Sequence, residues 1–343
     1  MVELAAALLV LSLAAYAVLG GADFGAGFWD LTAGSAERGA RIRGMVKQSM
    51  GPVWEANHVW LIVILVVMWT CFPPAFGAIM ETLYIPIFLA GVGIILRGGA
   101  FALRGEAGTI AEARALGAVF ALSSVITPFF FGAALGAVAA GEVPVGEPGD
   151  PWSSWTGPVS LFAGVAAVAS GAFMAAVFMA GDSERAGFPD LVAAFRNRAL
   201  GAGVAAGILA LGGLLVVNAD EERLFDGLTS GLGLVAVIAS AIAGLVTLAL
   251  ILGGRWTPAR FSASIAVGAM IVGLVVAQRP EFLPGQLSFE DAAAGDPTLL
   301  ATLISVGIGL LVIVPSLVLL FRLTLAGRLD PKFHPIGSED ETK

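Results

Sequence analysis

Nine times along this chain the sequence runs for 15 residues or more without a charged side chain, at 4–22, 59–80, 82–96, 115–141, 151–181, 199–219, 227–254, 261–278 and 297–321. A helix needs about 20 apolar residues to cross a bilayer. The runs are continuously apolar, whereas the strands of a membrane barrel would be short and alternating. The chain therefore reads as an all-α integral membrane protein with nine transmembrane helices. Hydrophobic residues make up 58% and charged ones 13%, with a mean hydropathy of +0.91, far from the soluble average. The 45 glycines among Ala, Leu and Val suit helices that approach one another closely in lipid.

Other classes are excluded by what is scarce. Cys71 is the single cysteine, so there is no disulfide within the chain and no Cys-x-x-Cys for zinc or an iron–sulfur cluster. No metal site is expected. The net charge is −8 and the bases are scattered, which argues against a nucleic-acid partner. Partners should be in the membrane, lipids included.

Charge also orients the chain. With the N-terminus outside, all but Arg223 and Arg279 of the 18 Lys and Arg fall on one side. The positive-inside rule makes that side cytoplasmic and puts the C-terminus there as well. The first run lacks a basic n-region, so it reads as a permanent helix and not as a secretion signal. Residues 1–141 are expected to form a first four-helix bundle and 151–278 a second. A peripheral ninth helix at 297–321 and a polar cytoplasmic tail at 322–343 follow. Each bundle's first helix is expected to end in a Gly/Asp turn, Gly20-Gly21-Ala22-Asp23 and Ala180-Gly181-Asp182. The gap 23–58 reads as amphipathic, and Pro73, Pro74 and Gly77 as the turn between the second and third spans.

The densest polar cluster lies between the first span and the second. Asp23 precedes Phe24-Gly25-Ala26-Gly27, and reads either as a turn carboxylate or as an acid at the cytoplasmic boundary. In Gly51-Pro52-Val53-Trp54-Glu55-Ala56-Asn57-His58-Val59-Trp60 the proline suits a first helical turn, and Glu55 and His58 share a face at i,i+3. Ionisable groups are costly inside a membrane, so Glu55, His58, Asn57 and Trp54 are candidates for passing protons inward. The alternative is a satisfied anion at a helix N-terminus between two interfacial tryptophans. His58 has no second histidine in the spans, His334 being in the tail, which disfavours haem ligation. Glu81 and Arg97, flanking the third run, read first as interfacial anchors and second as parts of a polar path. Trp152 and Trp155 read as belt aromatics in an outer loop.

Three motifs together, Gly21-Ala22-Asp23-Phe24-Gly25-Ala26-Gly27, Gly51 to Ile62, and Leu96-Arg97-Gly98-Gly99-Ala100-Phe101-Ala102-Leu103-Arg104, resemble subunit II of the cytochrome bd quinol oxidases. The resemblance implies two four-helix bundles plus a peripheral helix, in a bacterial-type inner (plasma) membrane. It implies a heterodimer with a subunit I that carries haems b and d and the quinol site, where quinol reduces oxygen to water. Subunit II would hold no haem, a bound quinone being a further expectation, and would be part of an oxidoreductase without being catalytic alone. The family's proton-conducting acid maps to Glu55, and its Asp, Trp, amide and basic residue to Asp23, Trp54, Asn57 and Arg97. Two departures stand out. Glu-Ala-Asn replaces the usual Asp-Gly-Asn, and Ala102 stands where an acid is common. A proton-coupled secondary transporter or a purely structural subunit are the alternatives; charges at the cytoplasmic boundary, not in mid-span, favour the oxidase.

Overall fold

The computed structural model describes residues 1–35, 37–50, 57–104 and 106–325. Trp54, Glu55 and the tail from 326 onward lie outside the described residues. The helices are α1 (Val2–Leu31), α2 (Ala40–Met50), α3 (Val59–Cys71), α4 (Pro73–Thr82), α5 (Tyr84–Leu103), α6 (Ile110–Ala139), α7 (Ser153–Thr156), α8 (Pro158–Arg185), α9 (Pro189–Asp220), α10 (Glu222–Thr229), α11 (Gly231–Leu252), α12 (Trp256–Ala277) and α13 (Asp296–Leu325). A small antiparallel hairpin, β1 (Glu281–Leu283) with β2 (Leu287–Ser288), sits between the last two. Among the described residues eight helices are long and apolar enough to cross a membrane, and a ninth span is counted if α3 and α4, bent 116° apart, are taken as one.

The second span, expected over 59–80 with Pro73, Pro74 and Gly77 marking the turn to the third, is thus broken at Phe72. Pro73 and Pro74 have no N–H to continue the helical ladder, and their rings crowd the preceding turn. Phe72, at the break, is fully buried and packs against the rings of Phe282 and Phe289 at 5.1 and 5.9 Å. The Cys71 carbonyl accepts the Ala294 N–H at 2.8 Å. The β1–β2 hairpin region therefore plugs the bend, and Gly77 falls inside α4.

Helix ends also differ from expectation. Gly20-Gly21 does not terminate α1, because apolar residues continue through Phe28 and Trp29. The true stop is near Gly34, whose φ of 90° only glycine adopts freely. Likewise α8 runs past Gly181-Asp182 and stops before Gly187, φ 75°. Asp23 is consequently a mid-helix residue. The third span is 20 residues long, not 15, and Arg97 lies inside it. The 23–58 gap holds the end of α1 and the amphipathic α2, which buries Ile42, Met45, Val46 and Met50.

Helix α8 is central, packing along α1, α6, α9 and α12. A Cβ on Gly25 would stand 1.9 Å from the Gly171 carbonyl oxygen, so α1 and α8 cross in backbone contact. One apolar cluster joins α2 and the ends of α1, α8, α9 and α12 on one side of the bundle, and another joins the N-terminal half of α1 with α3, α4 and the hairpin. Helix α13 packs mainly on α3 and α1. Trp155 is buried against Phe130, its Nε1–H donating to the Pro151 carbonyl; Trp152 alone of that pair is exposed like a belt residue.

Candidate functional site

Between α1, α5 and α6 the helices enclose a run of polar side chains. Asp23 is 5% exposed, Asn57 4% and Arg97 1%. The Asn57 amide donates to Asp23 Oδ2 at 2.6 Å and, more weakly, to the Leu19 carbonyl at 3.4 Å. Arg97 donates through Nε to Ser124 Oγ at 3.1 Å and through Nη2 to the backbone carbonyl of Asp23 at 3.0 Å. Its guanidinium lies over the rings of Phe24 and Phe120, 4.9 and 5.4 Å from their centroids, and 4.0 Å from Met50 Sδ. The base thus bonds the backbone of Asp23 while the carboxylate takes an amide, which leaves a fixed positive charge beside a carboxylate that is not locked to it. A buried unpaired charge would be costly, and each group lowers that cost for the other.

The structure brings together Asp23, Asn57 and Arg97 and sets His58 beside them, its ring 6.0 Å from those of Tyr16 and Phe24. Arg97 is the opposite of an interfacial anchor: six residues from the end of α5, it is among the most buried side chains. Glu81 is exposed at the end of α4 and takes no part. Among the described residues no group of three His, Cys, Asp or Glu is arranged to hold a metal ion.

A second polar rung was not anticipated. Asp30, 3% exposed, accepts from Arg43 Nε at 3.1 Å through Oδ1 and from Arg104 Nη1 at 2.6 Å through Oδ2. Arg43 also bonds the carbonyls of Gly34 and Ser35. The ends of α1 and α5 and the start of α2 are fastened by this one carboxylate. A signal was present: Asp23 and Asp30 are seven apart, and so are Arg97 and Arg104, which puts each pair on one helix face.

Residues 1–324 match the family model of cytochrome bd terminal oxidase subunit II. This chain belongs to that family. The match bears out the resemblance carried by the three motifs. Cytochrome bd ubiquinol oxidase subunit 2 of Bacillus subtilis (strain 168) is 30% identical over 114 residues, 33% of this chain and 33% of the relative, so the chain matches about a third of the length of this curated relative. A chain in the structure of bd oxidase from Geobacillus thermodenitrificans overlays with a TM-score of 0.80 at 22% identity, covering 95% of this chain and 98% of the other. The fold of this family member is therefore that of a bd oxidase chain.

Proposed function

We propose that this chain is the second membrane subunit of a bd-type terminal quinol oxidase, supporting a haem-bearing subunit I in a heterodimer and conducting protons from the cytoplasm. The haems b and d of the partner supply the reduction of oxygen to water by quinol. In this reading the N-terminus is outside and the C-terminus cytoplasmic, and electrons do not pass through this chain. The observation that carries the reading is that residues from all three family motifs converge in one buried site, Asp23 from the first, Asn57 from the second and Arg97 from the third.

The chemistry follows from the bonding. Asn57 orients the Asp23 carboxylate through Oδ2, so Oδ1 is the atom able to take up and release a proton. Arg97 is held by a carbonyl and a hydroxyl that do not titrate, so its position is independent of the protonation of Asp23. Glu55, two residues before Asn57 in the sequence, is the acid of the second motif that passes protons to Asp23 from the cytoplasmic side, with Trp54 and His58 belonging to the same motif.

Co-purification tests the assembly: a b/d haem spectrum from a second polypeptide is the expected result, and a haem-free chain that accumulates a solute would favour the transporter instead. For the proton role, Glu55→Gln and Asp23→Asn in the assembled complex should keep the spectrum while turnover falls by about tenfold or more. Normal turnover in both variants reduces the chain to a structural subunit.

A further inference from the structure

The polar stripe of α1 does not stop at Asp23. Tyr16, Asp23 and Asp30 stand seven residues apart, so they share one helix face at steps of about 10.5 Å. Each acid meets a base of α5 at the same sequence separation of 74, Asp23 with Arg97 and Asp30 with Arg104. At Tyr16 that offset leads to Ala90, which is buried and apolar, so the third rung has no base, and the tyrosine ring folds along α1 over Gly20 toward Asp23, where a Cβ on Gly20 would stand 2.8 Å from it. Tyr16 lies midway along α1, which runs from Val2 to Leu31.

Tyr16 is held by its ring. Phe24, His58 and Phe131 meet it edge-on at 6.4, 6.0 and 6.1 Å between centroids. Its hydroxyl is buried and has no hydrogen-bond partner among the described residues. The same holds for Asn57 Oδ1 and for Oγ1 of Thr127, a fully buried residue of α6 one turn from Phe131. Thr127 fits because its neighbour on α5 is glycine: a Cβ on Gly93 would stand 2.2 Å from that oxygen. Unpaired buried oxygens are rare, and those that persist are usually satisfied by internal water, which needs two to four polar partners. Tyr16 on α1, Thr127 on α6 beside Gly93 of α5, and Asn57 bonded to Asp23 each carry one such oxygen.

We propose that Tyr16 is a proton-relay residue, its hydroxyl carrying the path from Asp23 to the middle of the membrane through water bound among Asp23, Asn57 and Thr127. The transfer balances without electrons. Protonated Asp23 gives its proton to the water beside it, that water gives one to the phenol oxygen, and the phenol's own O–H proton leaves to water held at Thr127 Oγ1, so the ring stays neutral. This inference rests on the proton-conducting reading above.

Tyr16→Phe tests it in the complete membrane complex, because phenylalanine keeps the three ring contacts and removes one oxygen. The haem spectrum and the quinol KM should be unchanged, kcat should fall roughly three- to tenfold, and the solvent deuterium isotope effect should rise above the parent's. Thr127→Val should act in the same direction, and it decides by the same criteria if Tyr16→Phe does not assemble. A parent-like kcat and isotope effect, in a preparation where Asp23→Asn does slow turnover, overturns the Tyr16 inference and leaves the wider reading standing. Parent-like rates in all the variants overturn both.

Discussion

Removing one charge from a buried pair should cost more than its removal after the partner has gone, and Asp23 and Arg97 allow this to be measured. Arg97→Gln deletes the bonds to Ser124 and to the Asp23 carbonyl, strips the cation from the faces of Phe24 and Phe120, and leaves a 5% exposed carboxylate without a nearby base. Breaking such a pair from one side costs about 3–5 kcal/mol. Asp23→Asn is milder, about 1–3 kcal/mol, since the carbonyl and Ser124 still hold Arg97 and an amide oxygen can still accept from Asn57. In the double variant no charge is stranded. Its destabilisation should fall short of the sum of the two singles by on the order of 1–3 kcal/mol, the range for residues in one network. Thermal unfolding of the detergent-solubilised full chain, followed by fluorescence of its 7 tryptophans, reads all four proteins. At roughly 2–4 °C per kcal/mol for a chain of moderate size, the Arg97→Gln midpoint should drop by about 6–20 °C. If the single effects add in the double variant to within about 0.5 kcal/mol, the two charges do not sense each other and the site is a set of independent hydrogen bonds.

Three further outcomes are expected. Asp30→Asn removes the anion from both ion pairs that fasten α1, α2 and α5 and leaves one neutral acceptor for two arginines, so it should cost about 1–3 kcal/mol and raise limited proteolysis between α1 and α2 several-fold; unchanged cleavage would mean that Arg43's bonds to Gly34 and Ser35 suffice. Gly25→Ala sets a methyl against the Gly171 carbonyl, which forces α1 off α8 by about 1 Å, a misplacement large enough to cut rates about a hundredfold at a demanding site; parent-like turnover in the complex would show that the crossing is compliant. Asp150 accepts the backbone N–H groups of Ser153 and Trp152 at 2.7 and 2.9 Å, and these hold its carboxyl below the ordinary range. Its stabilising effect is therefore present above the unfolded-state value and lost as pH falls through the folded one, below about pH 4. Amide exchange at 152 and 153, compared with Asp150→Asn, should lose its protection there, and equal pH profiles would refute the cap.

The spans and the outline of the site were legible because membrane insertion is decided by local composition. Charge-free runs found the long helices, and the three motifs found Asp23, Asn57 and Arg97. What the runs could not register is that charges are allowed inside a span when another helix satisfies them. Arg97 was assigned to a boundary because it ended a run, yet α5 carries it inward and Ser124 and the Asp23 carbonyl satisfy it. Ser124 itself gave no signal, since a serine in an apolar helix ordinarily bonds its own backbone, as this one also does to Phe120 at 2.7 Å. The glycines at 20 and 21 misled for a related reason: glycine permits a helix to end but does not require it, and here its function is close approach. The break at Phe72 was written in Pro73-Pro74, but the rings that pack on it, Phe282 and Phe289, are more than two hundred residues away.

The spacing of the first motif now has a physical reading. At about 100° per residue, Gly21 and Gly25 lie roughly 160° around α1 from Asp23, on the face where the backbone meets Gly171 of α8. In lipid there is no hydrophobic drive between helices, so such small-residue contacts determine which face of a helix is drawn to its neighbour. Fixing the glycine face against α8 turns the opposite face, with Tyr16, Asp23 and Asp30, toward α5 and α6. Gly27 falls nearer that second face, and a Cβ there would stand 2.1 Å from Ser124 Oγ, the oxygen that accepts from Arg97. Displacing either the glycines or the acid by one residue would rotate one face by about 100° relative to the other and set the carboxylate where buried Ala22 or Phe24 now packs, away from Asn57 and Arg97, and an unpaired buried charge is costly. The glycines and the aspartate of the motif therefore act as a single device: the close apolar crossing supplies the orientation, and the buried charge is tolerated only because that orientation is fixed.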